Sequence, residues 1–143
     1  ITLWDVVSRI VIGKYKLIQH DSYIGFSPDS STMYTKNTNG ELVFFETLTG
    51  KVISETGRFR SRREGSNAVF LEKSDQILDG GWNGTIKLWD VSDATEKASI
   101  EFPHHMIKCI QKQCHNYFVL IYPKDSARRA GMLGSKLMVY KEP

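Results

Sequence analysis

Apolar and polar residues alternate with a period of two along much of the chain, which is typical of half-buried β-strands. The clearest runs are Thr2 to Val7 and Thr85 to Val91. The pairs Asn39-Gly40 and Asn83-Gly84 each separate two such runs. Because Asn-Gly tolerates positive φ at both central positions, we expect tight hairpins with type I′ turns there. No stretch shows a convincing helical period, so the pattern predicts strands at about 1–7, 10–18, 22–28, 31–37, 41–47, 50–56, 67–72, 75–80, 84–91, 96–102, 106–112, 117–122 and 136–141.

The chain also repeats itself. The dipeptide at Trp4-Asp5 recurs at Trp89-Asp90, with a degraded copy at Phe45-Glu46 between them. Residues 23–46 align with residues 67–90 without a gap at a shift of 44. A period of roughly 40–45 residues that ends in Trp-Asp is typical of the four-stranded blades of a β-propeller.

Several longer motifs resemble the WD40 family. They are LWDV at 3–6 and again at 88–91, the FSPDS turn at 26–30, NGTIKLWD at 83–90, and His20 before the first strand of a period. The resemblance covers nearly the whole chain, strongly over 1–8 and 19–97. It implies an all-β fold, a WD40-type β-propeller segment of four-stranded antiparallel blades that form an incomplete ring.

On this resemblance the chain is one propeller segment of about three and a half blades. Residues 1–18 would form the last two strands of a preceding blade, 19–58 and 59–102 two full blades, and 103–143 an incomplete blade with an insertion at 123–135. The family closes its ring with about seven blades. We therefore expect the remaining blades in a longer chain or in another copy.

The resemblance also implies a hydrogen-bonded chain within each blade, made by a His, a Ser or Thr, an Asp and the Trp. The first period offers His20, Thr35 and Asn39, but Phe45 stands where the Trp would be. The second offers Asp79, Asn83 and Trp89, with Glu64 in place of the His. Neither set is complete, so we expect these blades to rely more on packing.

Composition narrows the function classes. The net charge of +3 over 143 residues does not by itself indicate a nucleic-acid or membrane partner, and no DNA is expected. No apolar run reaches the roughly 18 residues that a membrane span needs. Two cysteines are too few for a disulfide framework, which favours a reducing, intracellular compartment, cytoplasmic or nuclear.

Basic and aromatic residues mark a candidate binding face, on which the loops after the second and fourth strands of each blade emerge. Arginines cluster at Arg58, Arg60, Arg62 and Arg63, and basic residues recur at Lys124, Arg128, Arg129 and Lys136. Trp82 precedes the second Asn-Gly pair. Because arginine pairs bidentately with carboxylate and phosphate, we predict an acidic or phosphorylated protein partner bound by Arg60, Arg62, Arg63, Trp82, Arg128 and Arg129. The alternative is a pair of solvated loops and a Trp that covers its neighbours.

Other functions have weaker support. The segment RSRREGS is faintly similar to the Phe-Arg-Arg-Gly loop of phosphoinositide-binding propellers, and the same charges could bind RNA phosphates. No nucleophile, base and orienting group occur together, so the sequence predicts a non-enzyme without a cofactor, although it could be the targeting module of a larger enzyme. The spacing of the residues that could bind a metal matches no compact zinc pattern, and these residues are His104, His105, Cys109, Cys114 and His115.

Overall fold

The computed structural model describes residues 1–15, 21–37, 39–56, 67–124 and 136–141. For residues 21–22 and 136–141 it describes the backbone alone. These residues form thirteen strands and no helix. The strands are β1 (Thr2–Asp5), β2 (Ile10–Lys14), β3 (Asp21–Phe26), β4 (Thr32–Asn37), β5 (Leu42–Glu46), β6 (Val52–Glu55), β7 (Ala68–Phe70), β8 (Gln76–Gly80), β9 (Thr85–Asp90), β10 (Glu96–Glu101), β11 (His105–Gln113), β12 (Asn116–Pro123) and β13 (Lys136–Lys141). The predicted strands are present, each within a few residues of its expected bounds.

The strands form four antiparallel sheets, each a meander in chain order. Sheet 1 is the hairpin β1–β2, sheet 2 is β3–β4–β5–β6, sheet 3 is β7–β8–β9–β10, and sheet 4 is β11–β12–β13. Separate meanders of this kind confirm the predicted propeller architecture and exclude a single continuous barrel across the described residues. The division into domains and blades stays a prediction, and its proposed insertion lies almost entirely outside the described residues.

Sheets 2 and 3 repeat each other at the level of single hydrogen bonds. The amide of Thr47 donates to Ser31 O at 2.8 Å, and 44 residues later the amide of Val91 donates to Asp75 O at 2.9 Å. Ser30 and Ser74, which are also 44 residues apart, both have a φ of 61° in the turn after the first strand. The sequence repeat therefore corresponds to a repeat of backbone conformation.

The two Asn-Gly hairpins are confirmed, but the predicted type I′ turn is wrong. Gly40 and Gly84 have φ of 82° and 94°, whereas neither Asn39 nor Asn83 has positive φ. The amide of Gly84 donates to Gly81 O at 3.1 Å, and the amide of Gly81 donates to Thr85 O at 2.9 Å. This is a three-residue loop in which the glycine supplies the left-handed bulge position, so only the glycine needs positive φ.

Each pair of neighbouring sheets buries an apolar cluster between its faces. Between sheets 1 and 2 the cluster includes Tyr15, Met33 and Phe45. Two larger clusters lie at the other junctions. The cluster between sheets 2 and 3 consists of Tyr34, Leu42, Phe44, Ala68, Phe70, Ile77, Trp89 and Val91. The cluster between sheets 3 and 4 consists of Leu71, Leu78, Ile86, Ile107, Ile110, Tyr117, Val119 and Ile121. Burying apolar surface stabilises a fold by about 25 cal/mol per Å². Face-to-face stacking of the sheets is therefore the main source of stability.

A buried ion pair crosses the cluster between sheets 2 and 3. Lys36 on β4 is fully buried, and its Nζ lies 2.6 Å from Asp79 Oδ1 and 2.8 Å from Gly80 O on β8. The Asp79 side chain is buried as well. A charge this deep needs a counter-charge and hydrogen bonds to be tolerated, and here the adjoining sheet supplies both.

Candidate functional site

Three connections meet at one edge of sheets 3 and 4, which we call the loop face. They are the β8–β9 turn at 81–84, the β10–β11 connection at 102–104, and Lys124 after β12. The amide of Lys124 donates to His104 O at 2.8 Å, and the amide of Ile107 donates to Gly81 O at 3.1 Å. Backbone bonds therefore tie the three connections together.

The β10–β11 connection packs closely against the β8–β9 turn and hydrogen-bonds to it. The amide of Phe102 donates to Gly84 O at 2.8 Å. A Cβ added to Gly84 would lie 2.5 Å from Phe102 O and 2.6 Å from His105 O, so the β10–β11 connection passes directly beneath this residue. Asn83 adds a side-chain bond, since its Oδ1 accepts the amide of Thr85 at 2.9 Å. The turn is thus a rigid support rather than a flexible tip.

Trp82 is at the exposed end of this rigid turn. Its side chain is 38% exposed although the residues on both sides are more deeply buried. The Nζ of Lys124 lies 3.1 Å from Asn83 O and so brings a cation to the neighbouring residue of the turn. Trp82 is thus a partly exposed aromatic side chain on a hydrogen-bonded turn, next in sequence to the residue that Lys124 contacts.

The predicted arginines lie outside the described residues, as do Arg128 and Arg129. The residues that flank the first arginine segment, 57–66, are described, and their contacts show at which edge of the sheets they lie. Thr56 lies beside the start of β5, where its Oγ1 accepts the amide of Leu42 at 2.9 Å. Ala68, next to Asn67, pairs with Asp79 near the β8–β9 turn. Thr56 and Asn67, which flank residues 57–66, therefore lie at the same edge of sheets 2 and 3 as the loop face.

The residues of the predicted hydrogen-bonded chain are spread over both full sheets. Thr35 is fully buried on β4, and Asn39 is exposed in the β4–β5 turn. Asp79 pairs with Lys36 of the preceding sheet, and Trp89 is buried in the cluster between sheets 2 and 3. His20 lies outside the described residues, so the chain as predicted for the family stays a prediction. Sequence analysis missed Lys36, the residue that Asp79 meets.

The His and Cys residues considered as metal ligands are dispersed. His105 is buried with its Nδ1 2.9 Å from Pro103 O, Cys109 is half-buried on β11, and Cys114 is exposed in the β11–β12 turn. His115 Nδ1 lies 2.6 Å from Glu72 Oε1. Across the described part of the chain no three His, Cys, Asp or Glu side chains come together as a metal site. No helix in that part is suited to cross a bilayer.

The turns at the opposite edge carry carboxylates that accept hydrogen bonds from nearby hydroxyls and amides. The Ser27 hydroxyl, followed by the amide and hydroxyl of Ser31, lowers the pKa of Asp29 to about 2. Side-chain bonds from Ser8, Ser92 and Thr95 likewise lower the pKa values of three more carboxyls, those of Asp5, Asp90 and Asp93. Each ionised carboxylate organises the turn that holds it.

These lowered pKa values predict acid sensitivity. Because the folded pKa of Asp29 lies below its ordinary value of 3.8, its contribution to stability is present above about pH 4 and is lost as the pH falls toward 2. We expect the thermal unfolding midpoint to drop through this window, and the drop to be shallower in Asp29→Asn. Calorimetry at pH 5, 4, 3 and 2 measures both. An unfolding midpoint that rises on acidification would contradict the assignment.

Two curated proteins share part of this sequence, although no family model matches it. Over 71 residues the chain is 35% identical to restriction of telomere capping protein 1 of Candida tropicalis, and this alignment covers 49% of the chain and 6% of the relative. Over 83 residues it is 26% identical to WD repeat-containing protein 1 of Xenopus tropicalis, covering 55% of the chain and 14% of the relative. The chain thus corresponds to a small part of either relative's length.

Solved propellers superpose on nearly the whole chain. BamB from Moraxella catarrhalis matches with a TM-score of 0.71 at 12% identity, over 99% of this chain and 37% of that one. The β-propeller domain of Cps50 (Swd1) from Myceliophteria thermophila matches at 0.61 and 13% identity, over 90% and 40%. The C-terminal WD40 domain of Sif2 matches at 0.60 and 16% identity, over 85% and 31%. With the four stacked meanders, these likenesses show that the chain has the fold of a β-propeller segment, and its repeated Trp-Asp motifs are of the kind typical of WD40 repeats.

Proposed function

We propose that this segment is a non-enzymatic scaffold that binds a protein partner through the loop face, with Trp82 as the anchor. The observation that carries the proposal is the exposed indole on a turn fixed by Gly84, Ile107 and Lys124. Rigid aromatic side chains lose little conformational entropy on binding, which is why Trp is enriched among residues that dominate interfaces. Both cysteines are unpaired, in keeping with the reducing, intracellular compartment that we propose.

We propose further that the partner is acidic or phosphorylated. Lys124 supplies one cation on the loop face. Described residues beside the segments that carry Arg60, Arg62, Arg63, Arg128 and Arg129 lie at the same edge, namely Thr56, Asn67 and Lys124. Guanidinium forks suit the planar oxygens of carboxylate and phosphate, and a cluster of them around an aromatic anchor would discriminate in favour of anionic segments. The remaining blades of the ring, from a longer chain or another copy, would extend this face.

A matched pair of tryptophan variants tests the anchor. The ligands are two fluorescent peptides of one acidic sequence, one carrying phosphoserines and the other unmodified. In fluorescence anisotropy we expect Trp82→Ala to weaken binding about 30-fold, equivalent to about 2 kcal/mol. Trp4→Ala is the control, because Trp4 is 55% exposed on sheet 1, outside the loop face. Equal affinities of the two variants would contradict an anchoring role for Trp82.

Charge reversal tests the chemistry of the partner. Replacing Arg60, Arg62 and Arg63 by Glu should abolish binding of the phosphopeptide, and binding by the unchanged protein should weaken steeply with added salt. The same titrations with phosphoinositide vesicles and with a single-stranded RNA separate the alternatives. Preference for either of these over both peptides would replace the protein partner by a lipid headgroup or RNA. Retained peptide binding by the charge-reversed protein would remove the arginines from the site.

A further inference from the structure

The β4–β5 turn of sheet 2 is the counterpart of the β8–β9 turn in the preceding repeat, 44 residues earlier. In the first turn the amide of Gly40 donates to Asn37 O at 3.0 Å, and in the second the amide of Gly84 donates to Gly81 O at 3.1 Å. The two turns therefore have the same main-chain hydrogen bond and a glycine with positive φ at the same position. They differ in the side chain at their first residue.

In sheet 2 this side chain caps the turn. The Oδ1 of Asn37 accepts the amide of Asn39 at 2.9 Å and the amide of Glu41 at 3.1 Å. One carboxamide oxygen thus satisfies two main-chain donors, which are groups that need an acceptor. In sheet 3 the corresponding residue is Gly81, which has no side-chain oxygen to offer.

Without this cap, two adjacent N–H groups of the β8–β9 turn are left without an acceptor. The amide of Thr85 is satisfied, because it donates to Asn83 Oδ1 at 2.9 Å. The amide of Asn83, which corresponds to that of Asn39, meets no acceptor in the described part of the chain, and the same is true of the amide of Trp82. Because this turn lies at the surface, with Trp82 exposed and Asn83 half-buried, a ligand that accepts hydrogen bonds can approach it.

The charge around the turn favours an anion. The ammonium group of Lys124 lies 3.1 Å from Asn83 O, and it has further N–H donors beyond the one used there. The carboxylate of Asp79, which precedes the turn, is already neutralised by Lys36. Successive main-chain N–H groups in a turn form concave anion sites. A phosphate group, with three acceptor oxygens and about two negative charges, uses several donors at once.

We propose that the amides of Trp82 and Asn83, beside the ammonium group of Lys124, form an anion site for a phosphate group on the partner. A phosphate oxygen would accept the Asn83 amide as Asn37 Oδ1 accepts the corresponding amide in sheet 2. The inference rests on the function proposed above, and it names the group that the partner presents to this turn. Trp82 then contributes twice, through its indole to the partner's side chains and through its amide to the phosphate.

A side chain that caps the turn should compete with the phosphate. Gly81→Asn supplies the carboxamide that Asn37 has in sheet 2, and neither residue has positive φ, so the turn can keep its conformation. In fluorescence anisotropy this variant should bind the phosphoserine peptide about tenfold more weakly, as for the loss of a hydrogen bond to a charged acceptor, and the unmodified acidic peptide less than about twofold more weakly. Equal losses for the two peptides would overturn the assignment of phosphate.

Gly81→Ala is the matched control, because it adds the same Cβ without the oxygen. It should bind the phosphoserine peptide within about twofold of the unchanged protein, since both amides stay available. If alanine weakened binding as much as asparagine, the added Cβ and not the cap would be the cause, and the proposal would fail. Thermal unfolding of both variants shows that the fold is retained.

NMR of the unchanged 143-residue chain tests the site without a substitution. Inorganic phosphate should shift the amide proton of Asn83 downfield, whereas the amide of Asn39, which already donates to Asn37, should not move. Sodium chloride at the same ionic strength should shift neither. An Asn83 amide that does not respond to phosphate would overturn the anion site.

These measurements also separate the anion site from the proposed function. If the Asn83 amide responds to phosphate but neither peptide binds, the anion site is supported and the protein-binding function is not. If both peptides bind through Trp82 while the Asn83 amide stays unmoved and Gly81→Asn binds like the unchanged protein, the function is supported and the anion site is refuted.

Discussion

Replacing Lys36 by Met should destabilise the protein by about 3–5 kcal/mol, the largest effect that we expect from a single substitution. The change removes the cation that neutralises Asp79, 2.6 Å away, while a carboxylate that is almost wholly enclosed stays between sheets 2 and 3. An enclosed, ionised carboxylate that loses its counter-charge still bears the cost of its lost hydration, without the cation that compensated for it. Urea unfolding followed by circular dichroism gives the change in unfolding free energy.

The double variant Lys36→Met with Asp79→Leu distinguishes a lost partner from lost packing. Once both charges are gone, no charge is buried without its counter-charge, although Gly80 O loses its hydrogen bond from Lys36. Apolar side chains of similar size should therefore restore most of the stability. If the double variant were as unstable as Lys36→Met alone, poor packing rather than the loss of the counter-charge would be the cause. Asp79→Leu by itself should be unstable too, because it leaves a buried ammonium group.

A surface ion pair gives the matched comparison. Lys87 lies 2.8 Å from Glu96, but their side chains are 21% and 36% exposed. Water already solvates both charges, so Lys87→Met should cost less than about 1 kcal/mol. A loss of equal size at Lys36 and Lys87 would contradict the view that burial decides the value of the pair at Lys36.

The Lys36–Asp79 pair is a contact that the sequence did not predict. Strand positions followed from alternation, and the repeat followed from Trp-Asp, because both signals are local or strictly periodic. The contact between Lys36 and Asp79 gives no local or periodic signal, because it joins the second strands of two different sheets, 43 residues apart in the chain. The available signal was an acidic residue at the end of the apolar run Ile77-Leu78, which indicates a buried charge but not its partner.

The loop face was only partly predictable for a similar reason. Sequence placed Trp82 next to a hairpin turn, but its exposure depends on how the β10–β11 connection passes beneath the turn. The turn type was misjudged because Asn-Gly occurs both in two-residue loops and in three-residue loops with a bulge. The first needs positive φ at both residues, and the second needs it at the glycine alone. The φ of the asparagine and the backbone bonds from Gly81 and Gly84 separate the two.

Replacing Gly84 by Ala should cost about 2–5 kcal/mol, from two separate causes. A φ of 94° is strained for any residue with a Cβ. The new methyl would also lie 2.5 Å from Phe102 O and 2.6 Å from His105 O, which are main-chain atoms and cannot rotate away. Urea unfolding measures the loss. Because these atoms belong to the β10–β11 connection and to the first residue of β11, the loop face should distort, and affinity for the acidic peptides should fall with stability.

Gly84→Asn separates the two causes, because asparagine adopts positive φ more readily than alanine yet carries the same Cβ. If contact with Phe102 and His105 dominates, the Asn variant should recover only the smaller, conformational share and remain destabilised by about 1–3 kcal/mol. If backbone conformation alone matters, Asn should approach the stability of the unchanged protein. That second outcome would mean that the β10–β11 connection yields easily, and the turn would then lack the firm support on which the proposed anchor role of Trp82 depends.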